Sequence, residues 1–123
     1  MASLAVMQRY ALRCAAKLGV AGTPALRWSG GDCKLRRRTY AHCHIDGTPQ
    51  HPRGTICIKR GLVDWRATVA HEVAHLAVQD HNSLGFARKL VTLGQADYHE
   101  RRLALAHQRH VHRYVGVSFF SAS

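Results

Sequence analysis

The stretch from Arg66 to Asp80, RATVAHEVAHLAVQD, constrains this chain more than any other. Between its two ends the only charged side chain is Glu72, so it lacks the charged residues of a water-facing helix. At 3.6 residues per turn, Trp65, Val69, Val73 and Leu76 form one apolar stripe. Ala67, Ala70, Ala74 and Ala77 fill much of the remaining surface, and His71 and His75 stand one above the other on a separate face. A carboxylate and two imidazoles on so apolar a helix are costly to bury unless they are paired, hydrogen-bonded or used. The rest of the fold must therefore enclose this helix around a polar site.

The remaining segments supply that enclosure. Residues 3–18 read as an amphipathic helix with Leu4, Met7, Ala11 and Leu18 on one side, ended by Gly19 and the Gly22-Thr23-Pro24 turn. Residues 25–29 form a short strand before Gly30-Gly31. From Tyr40 to Asp46 the chain alternates, with Ala41, Cys43 and Ile45 on one face and Tyr40, His42, His44 and Asp46 on the other. After a loop from Gly47 to Gly54, Thr55-Ile56-Cys57-Ile58-Lys59 is a further strand, and the two most simply pair as an antiparallel hairpin. Asp64 is the candidate N-cap of the helix from Trp65 to about Val78, and Asn82 or Ser83 that of a helix ending near Gly94. Asp97 with Glu100 resembles a capping box for a last helix through about His112. The expectation is one α+β domain over residues 1–114, with an N-terminal helix, a small mainly antiparallel sheet, the central helix and two C-terminal helices, followed by a tail at 115–123.

Composition bounds the partners. The chain has 123 residues, enough for one core, and 18 Lys+Arg against 7 Asp+Glu give a formal net charge of +11. That balance favours polyanions, so nucleic acid is a possible partner through the basic surface, where Lys34, Arg36, Arg37 and Arg38 are the densest cluster. A solvated loop or hairpin edge is the plainer reading of that cluster. No apolar run reaches the roughly 20 residues of a membrane helix, so no membrane partner is expected. No acidic residue precedes Asp32, a bias shared with organellar transit peptides, yet the first helix is ordinary and no cleavage site follows. The expected location is the cytoplasm. Cys14, Cys33, Cys43 and Cys57 contain no CxxC pair and read as mostly reduced and buried.

His71-Glu72-Val73-Ala74-His75 is an HExxH pattern. Both imidazoles can reach one metal, and Glu72, rotated to the side, can act on an activated water without being a ligand. Zinc is the metal such a site implies, and a catalytic zinc takes three protein ligands. His81, six residues past His75, leads as the third, because a ligand close in sequence is easily positioned. Glu100 and His99 are the rivals. His81 has the spacing of metzincins, but Val78 stands where their turn needs glycine.

The stretch HEVAHLAVQDHNSLGFARKL, preceded by the strand GTICIK, resembles the SprT-like and YgjP-like zinc metallopeptidases. The matching positions are His71, Glu72, His75, His81 and Phe86, over roughly residues 54 to 92. Phe86 falls five residues after His81 where those families have four, Asn82 replaces their glycine, and the zinc ribbon of some SprT-like proteins is absent. The resemblance implies a minimal zincin-like domain that hydrolyses protein or peptide substrates, with Zn2+ on His71, His75 and His81 and Glu72 as general base. HEVAHLAVQDH also resembles the three-histidine signature of YbeY-type endoribonucleases, which typically place glycine at the position of Glu72. A third expectation is a binding module that keeps its metal only for stability.

Tyr98, Tyr114, His42 and His44 are candidate donors to an oxyanion, and the strand Thr55 to Lys59 is a candidate edge for an extended substrate. His42 and His44 share a strand face and form either a second metal site or a polar sheet surface, the second being the plainer reading. His107, His110 and His112 read as a basic helix end.

Overall fold

A computed structural model describes residues 2–31, 33–97 and 101. The order is α1 (Leu4–Leu18), β1 (Ala25–Trp28), β2 (Ala41–Cys43), β3 (Thr55–Ile58), α2 (Trp65–His75) and α3 (Leu84–Thr92). The fold is a small α+β domain. The last helix expected through His112 and the tail at 115–123 lie outside the described residues.

Capping sets the helix limits. Ser3 accepts a hydrogen bond from the Val6 N–H at 3.2 Å, and Gly19 ends α1 in the left-handed conformation. Ser83, rather than Asn82, caps α3 by accepting from Phe86 N–H. Asp64 occupies the N-cap of α2, but its side chain makes no capping bond; its carbonyl accepts the Thr68 N–H instead. α2 also stops at His75, short of Val78, and the chain turns there to bring His81 back.

The three strands run in the order β1-β3-β2. β2 and β3 form the expected antiparallel hairpin, with Ala41 opposite Ile58 and Cys43 opposite Ile56. β1 lies parallel to β3, so the sheet is mixed and not mainly antiparallel. Gln8 of α1 anchors the start of β1, donating to the Pro24 carbonyl at 2.6 Å and accepting from Leu26 N–H at 2.7 Å. The central position of β3 also corrects an expectation. Both of its edges are occupied, so Thr55 to Lys59 cannot receive an added strand; the edge beside α2 belongs to β2.

One face of the sheet carries the core. Ile56 and Ile58 of β3 with Ala41 and Cys43 of β2 pack against Met7, Ala11 and Cys14 of α1, Val69, Ala70, Val73 and Ala74 of α2, and Phe86 and Leu90 of α3. Burying each large apolar side chain contributes roughly 1.5–3 kcal/mol. Thr55 and Cys57 alternate with the two isoleucines and so point to the opposite face, yet Cys57 is 0% exposed. That face is covered by the two irregular segments around β2. In the second of them Gly47 has φ +77, and a Cβ there would meet the Arg53 nitrogen at 2.6 Å, so the loop closes only on glycine.

Candidate metal centre

The apolar stripe of α2 faces the core as the sequence predicts, with Val69 and Val73 fully buried, and this fixes where the remaining side chains go. His71 and His75 meet with their Nε2 atoms 3.2 Å apart. His75 Nδ1 lies 3.3 Å from the Val78 carbonyl oxygen, which can only accept, so the proton sits on Nδ1 and the Nε2 lone pair faces His71. His81 joins them from the turn after α2, its ring centroid 6.1 Å from His71 and 5.8 Å from His75, against 4.8 Å between the helical pair. Asp80 shapes that turn by accepting from Asn82 N–H and, through its carbonyl, from the Ser83 hydroxyl. Phe86 closes the site from α3, 4.8 Å from the His71 ring and 4.7 Å from that of His75.

Two nitrogens at zinc bonds of about 2.05 Å stand about 3.3 Å apart, and the corresponding imidazole centroids about 5 Å apart. The helical pair has both spacings, whereas the His81 ring stands farther from each of them than a shared ion requires.

Glu72 is 8% exposed and sits beside β2, close enough to the Cys43 backbone for that polar neighbour to favour its charged form. Burial nonetheless raises its pKa to about 7. Burial, and then the neighbouring His75 and His81, lower His71 to about 4, so that imidazole is neutral across the physiological range. His75 is lowered chiefly by burial as well. His71 and His75 thus offer neutral imidazoles, the protonation state a metal needs.

Glu72, His71 and His81 line a cleft of about 560 Å³ whose other wall is Arg38, Thr39, Tyr40 and Ala41. Even-numbered residues of β2 bond to β3, as in Lys59 N–H to Tyr40 and His44 N–H to Thr55. The amides of Ala41 and Cys43 therefore turn to the outer edge, toward the cleft. This edge and its basic approach were missed from the sequence, where Lys34 to Arg38 read only as a charge cluster. Lys59 orders that loop by donating to the Arg36 and Arg37 carbonyls at 2.6 and 3.0 Å.

The other nominated residues fall elsewhere. Glu100, His99, Tyr98, Tyr114 and the histidines at 107, 110 and 112 lie outside the described residues. His42 and His44 stand on the opposite side of β2 and do not line the cleft. His44 instead meets two cysteines: among the described residues, the ligand atoms of Cys33, His44 and Cys57 all lie within 4.8 Å of one another. This group can hold a metal ion. No sequence spacing announces it, because its members are 11 and 13 residues from His44; the only available signal was the strand alternation that puts His44 and Cys57 on one sheet face. All four cysteines are free, with Cys14, Cys43 and Cys57 buried as expected and Cys33 half-buried.

Among the described residues no helix is long and apolar enough to cross a membrane. No family model, curated protein or solved structure matches this chain.

Proposed function

We propose that the chain is a zinc metallopeptidase, in keeping with its SprT-like resemblance, that cleaves extended protein or peptide segments. The observation that carries the reading is the pair of imidazole nitrogens 3.2 Å apart beside a buried carboxylate, on the wall of an open cleft. His71, His75 and His81 would hold the ion. Zinc supplies Lewis acidity, which makes a water nucleophilic at neutral pH and polarises a carbonyl.

The chain's own groups do the rest. Glu72, with a pKa of about 7, is poised to take a proton from the attacking water and return it to the departing amine. The outward amide edge of β2 at Ala41 offers backbone hydrogen bonds to a substrate strand, which holds a scissile bond along the cleft. Tyr40, exposed on the same wall, can donate to the oxyanion.

Arg38 on that wall favours a second reading, in which the same triad cleaves RNA and Arg38 binds a phosphate. Glu72 separates the two readings. Zinc-loaded chain and its Glu72→Gln variant are assayed against an unfolded protein and against single-stranded RNA. Proteolysis lost in the variant, with zinc retained, supports the peptidase. Cleavage of RNA that survives the substitution supports the nuclease, and a zinc-loaded chain inert toward both substrates rejects catalysis.

A further inference from the structure

The face of the sheet turned away from α1, α2 and α3 poses a packing problem of its own. Cys57, in the middle of the central strand, is completely buried there, although α1, α2 and α3 all contribute to the core on the other side. Among the described residues its neighbours there include polar side chains from two irregular segments. Cys33 comes from the segment after β1, held by reciprocal hydrogen bonds of 3.0 Å with Gly30. His44 and His51 come from the segment between β2 and β3, with their rings stacked at 4.4 Å and 7°.

We infer that Cys33, His44 and Cys57 form a second metal site, a structural zinc clasp that pins both segments to the sheet face opposite α1, α2 and α3. His44 Nε2 lies 3.4 Å from Cys33 Sγ and 3.6 Å from Cys57 Sγ. Zinc bonds of about 2.3 Å to sulfur and about 2.05 Å to nitrogen, at the tetrahedral angle, set sulfur–nitrogen edges of about 3.5 Å. A neutral imidazole nitrogen has one in-plane lone pair and cannot accept from both thiols, whereas one cation satisfies all three atoms.

The surroundings agree. His51 is 6% exposed and its Nε2 has no hydrogen-bond partner, so the pocket is short of one polar group. Arg27 lies at this face, 3.4 Å from His51 Nδ1. Two thiolates and one divalent ion form a neutral cluster, so binding places no net charge beside it. Each thiol gives up its proton as the ion enters, and two protons reach solvent per ion bound. Two sulfurs and one imidazole select zinc over magnesium or calcium. A small domain gains from such a staple, because its core alone stabilises it only marginally.

Cobalt(II) tests the clasp independently of the histidine triad, because only thiolate ligands give intense near-ultraviolet charge-transfer absorption. The reduced full chain is titrated with cobalt, beside His75→Ala, Cys33→Ser and Cys57→Ser. The expected result is a charge-transfer band that is present in the parent, saturates at one cobalt per chain in His75→Ala and is lost in both serine variants. Cys33 is only half-buried, so its variant, checked by circular dichroism, decides the matter even if Cys57→Ser does not fold. No band in the reduced parent, a band unchanged in folded Cys33→Ser, or a Cys33–Cys57 disulfide formed in the presence of saturating cobalt would overturn the proposal.

Discussion

The two polar clusters are assembled in opposite ways. His71 and His75 lie four residues apart on one helix, so their meeting follows from α-helical geometry as soon as α2 forms. Cys33, His44 and Cys57 come from the segment after β1, the segment after β2 and the central strand, and they meet only if the whole sheet is in register. The first cluster opens onto a cleft, while the second fills a pocket beneath two loops. On the readings proposed above, an ion in the first would change what the protein can do to a bound molecule, and an ion in the second would change how firmly the protein is folded.

The contrast is sharpest at Glu72. Replacing it with glutamine keeps the size and most of the hydrogen bonding of the side chain but removes the base. We expect peptide turnover to fall about 10²–10⁴-fold, the usual range for losing a general base, with zinc content unchanged. Rates measured beside zinc analysis check this. A variant that loses zinc along with turnover would show that Glu72 serves the metal or the fold instead.

Ligand removal comes next in size. His75→Ala takes away a nitrogen whose tautomer is set by the Val78 carbonyl, and His81→Ala removes a ring on an exposed turn farther from the other two. Both should weaken zinc at the triad, His75→Ala by more than the 10–100-fold typical of losing a merely supporting outer partner, and His81→Ala by less than His75→Ala. Competition with a chromophoric chelator measures the two constants. Equal affinities in parent and His81→Ala would make the third ligand a residue other than His81.

Legibility in the sequence follows the same division. The HExxH pair, the apolar stripe of Val69 and Val73, the Ser83 cap and the β2–β3 hairpin are all encoded within a few residues, and each stands in the structure at or near its predicted place. What was not legible depends on contacts between distant segments. The parallel placement of β1 joins segments about 30 residues apart, Ala25 opposite Thr55, and its start is anchored by Gln8, 18 residues from Leu26. The cleft wall at Arg38 to Ala41 depends on β2 being the edge beside α2, and the Cys/His group depends on sheet register. His42 and His44 read as a polar sheet face because local alternation cannot show which loop folds over that face.

Stability is the property in which the second cluster should dominate. If it holds zinc at 100 times its dissociation constant, mass action adds about 2.7 kcal/mol to the folded state. Stripping the ion with a strong chelator should then lower the melting temperature by about 5 °C or more. In Cys33→Ser the melting temperature should start lower and respond less to the chelator. Scanning calorimetry on the two proteins, each with and without chelator, gives the four values needed, and an equal response in both would assign the stabilising metal to the triad.

The smallest effect is a pH dependence in the metal-free chain, where two neighbouring residues oppose each other. Glu72 has its pKa raised by burial from 4.5 to about 7, so between those values the folded chain binds the extra proton. Its contribution to stability therefore declines as pH rises through that window. His71 is lowered by burial from 6.5 to about 4, so there the unfolded chain binds the extra proton and stability increases with pH. His75 and His44 are lowered for the same leading reason and act in the same direction as His71. From pH 4.5 to 6.5 the carboxylate offsets part of the gain from the imidazoles, and the parent should show a shallow slope. Glu72→Gln removes the opposing group, so its stability should climb more steeply over that range and exceed the parent's most above pH 7. Urea denaturation at half-unit pH steps, with chelator present, measures both slopes; parallel curves would mean that Glu72 is not buried as an ionisable group beside the triad.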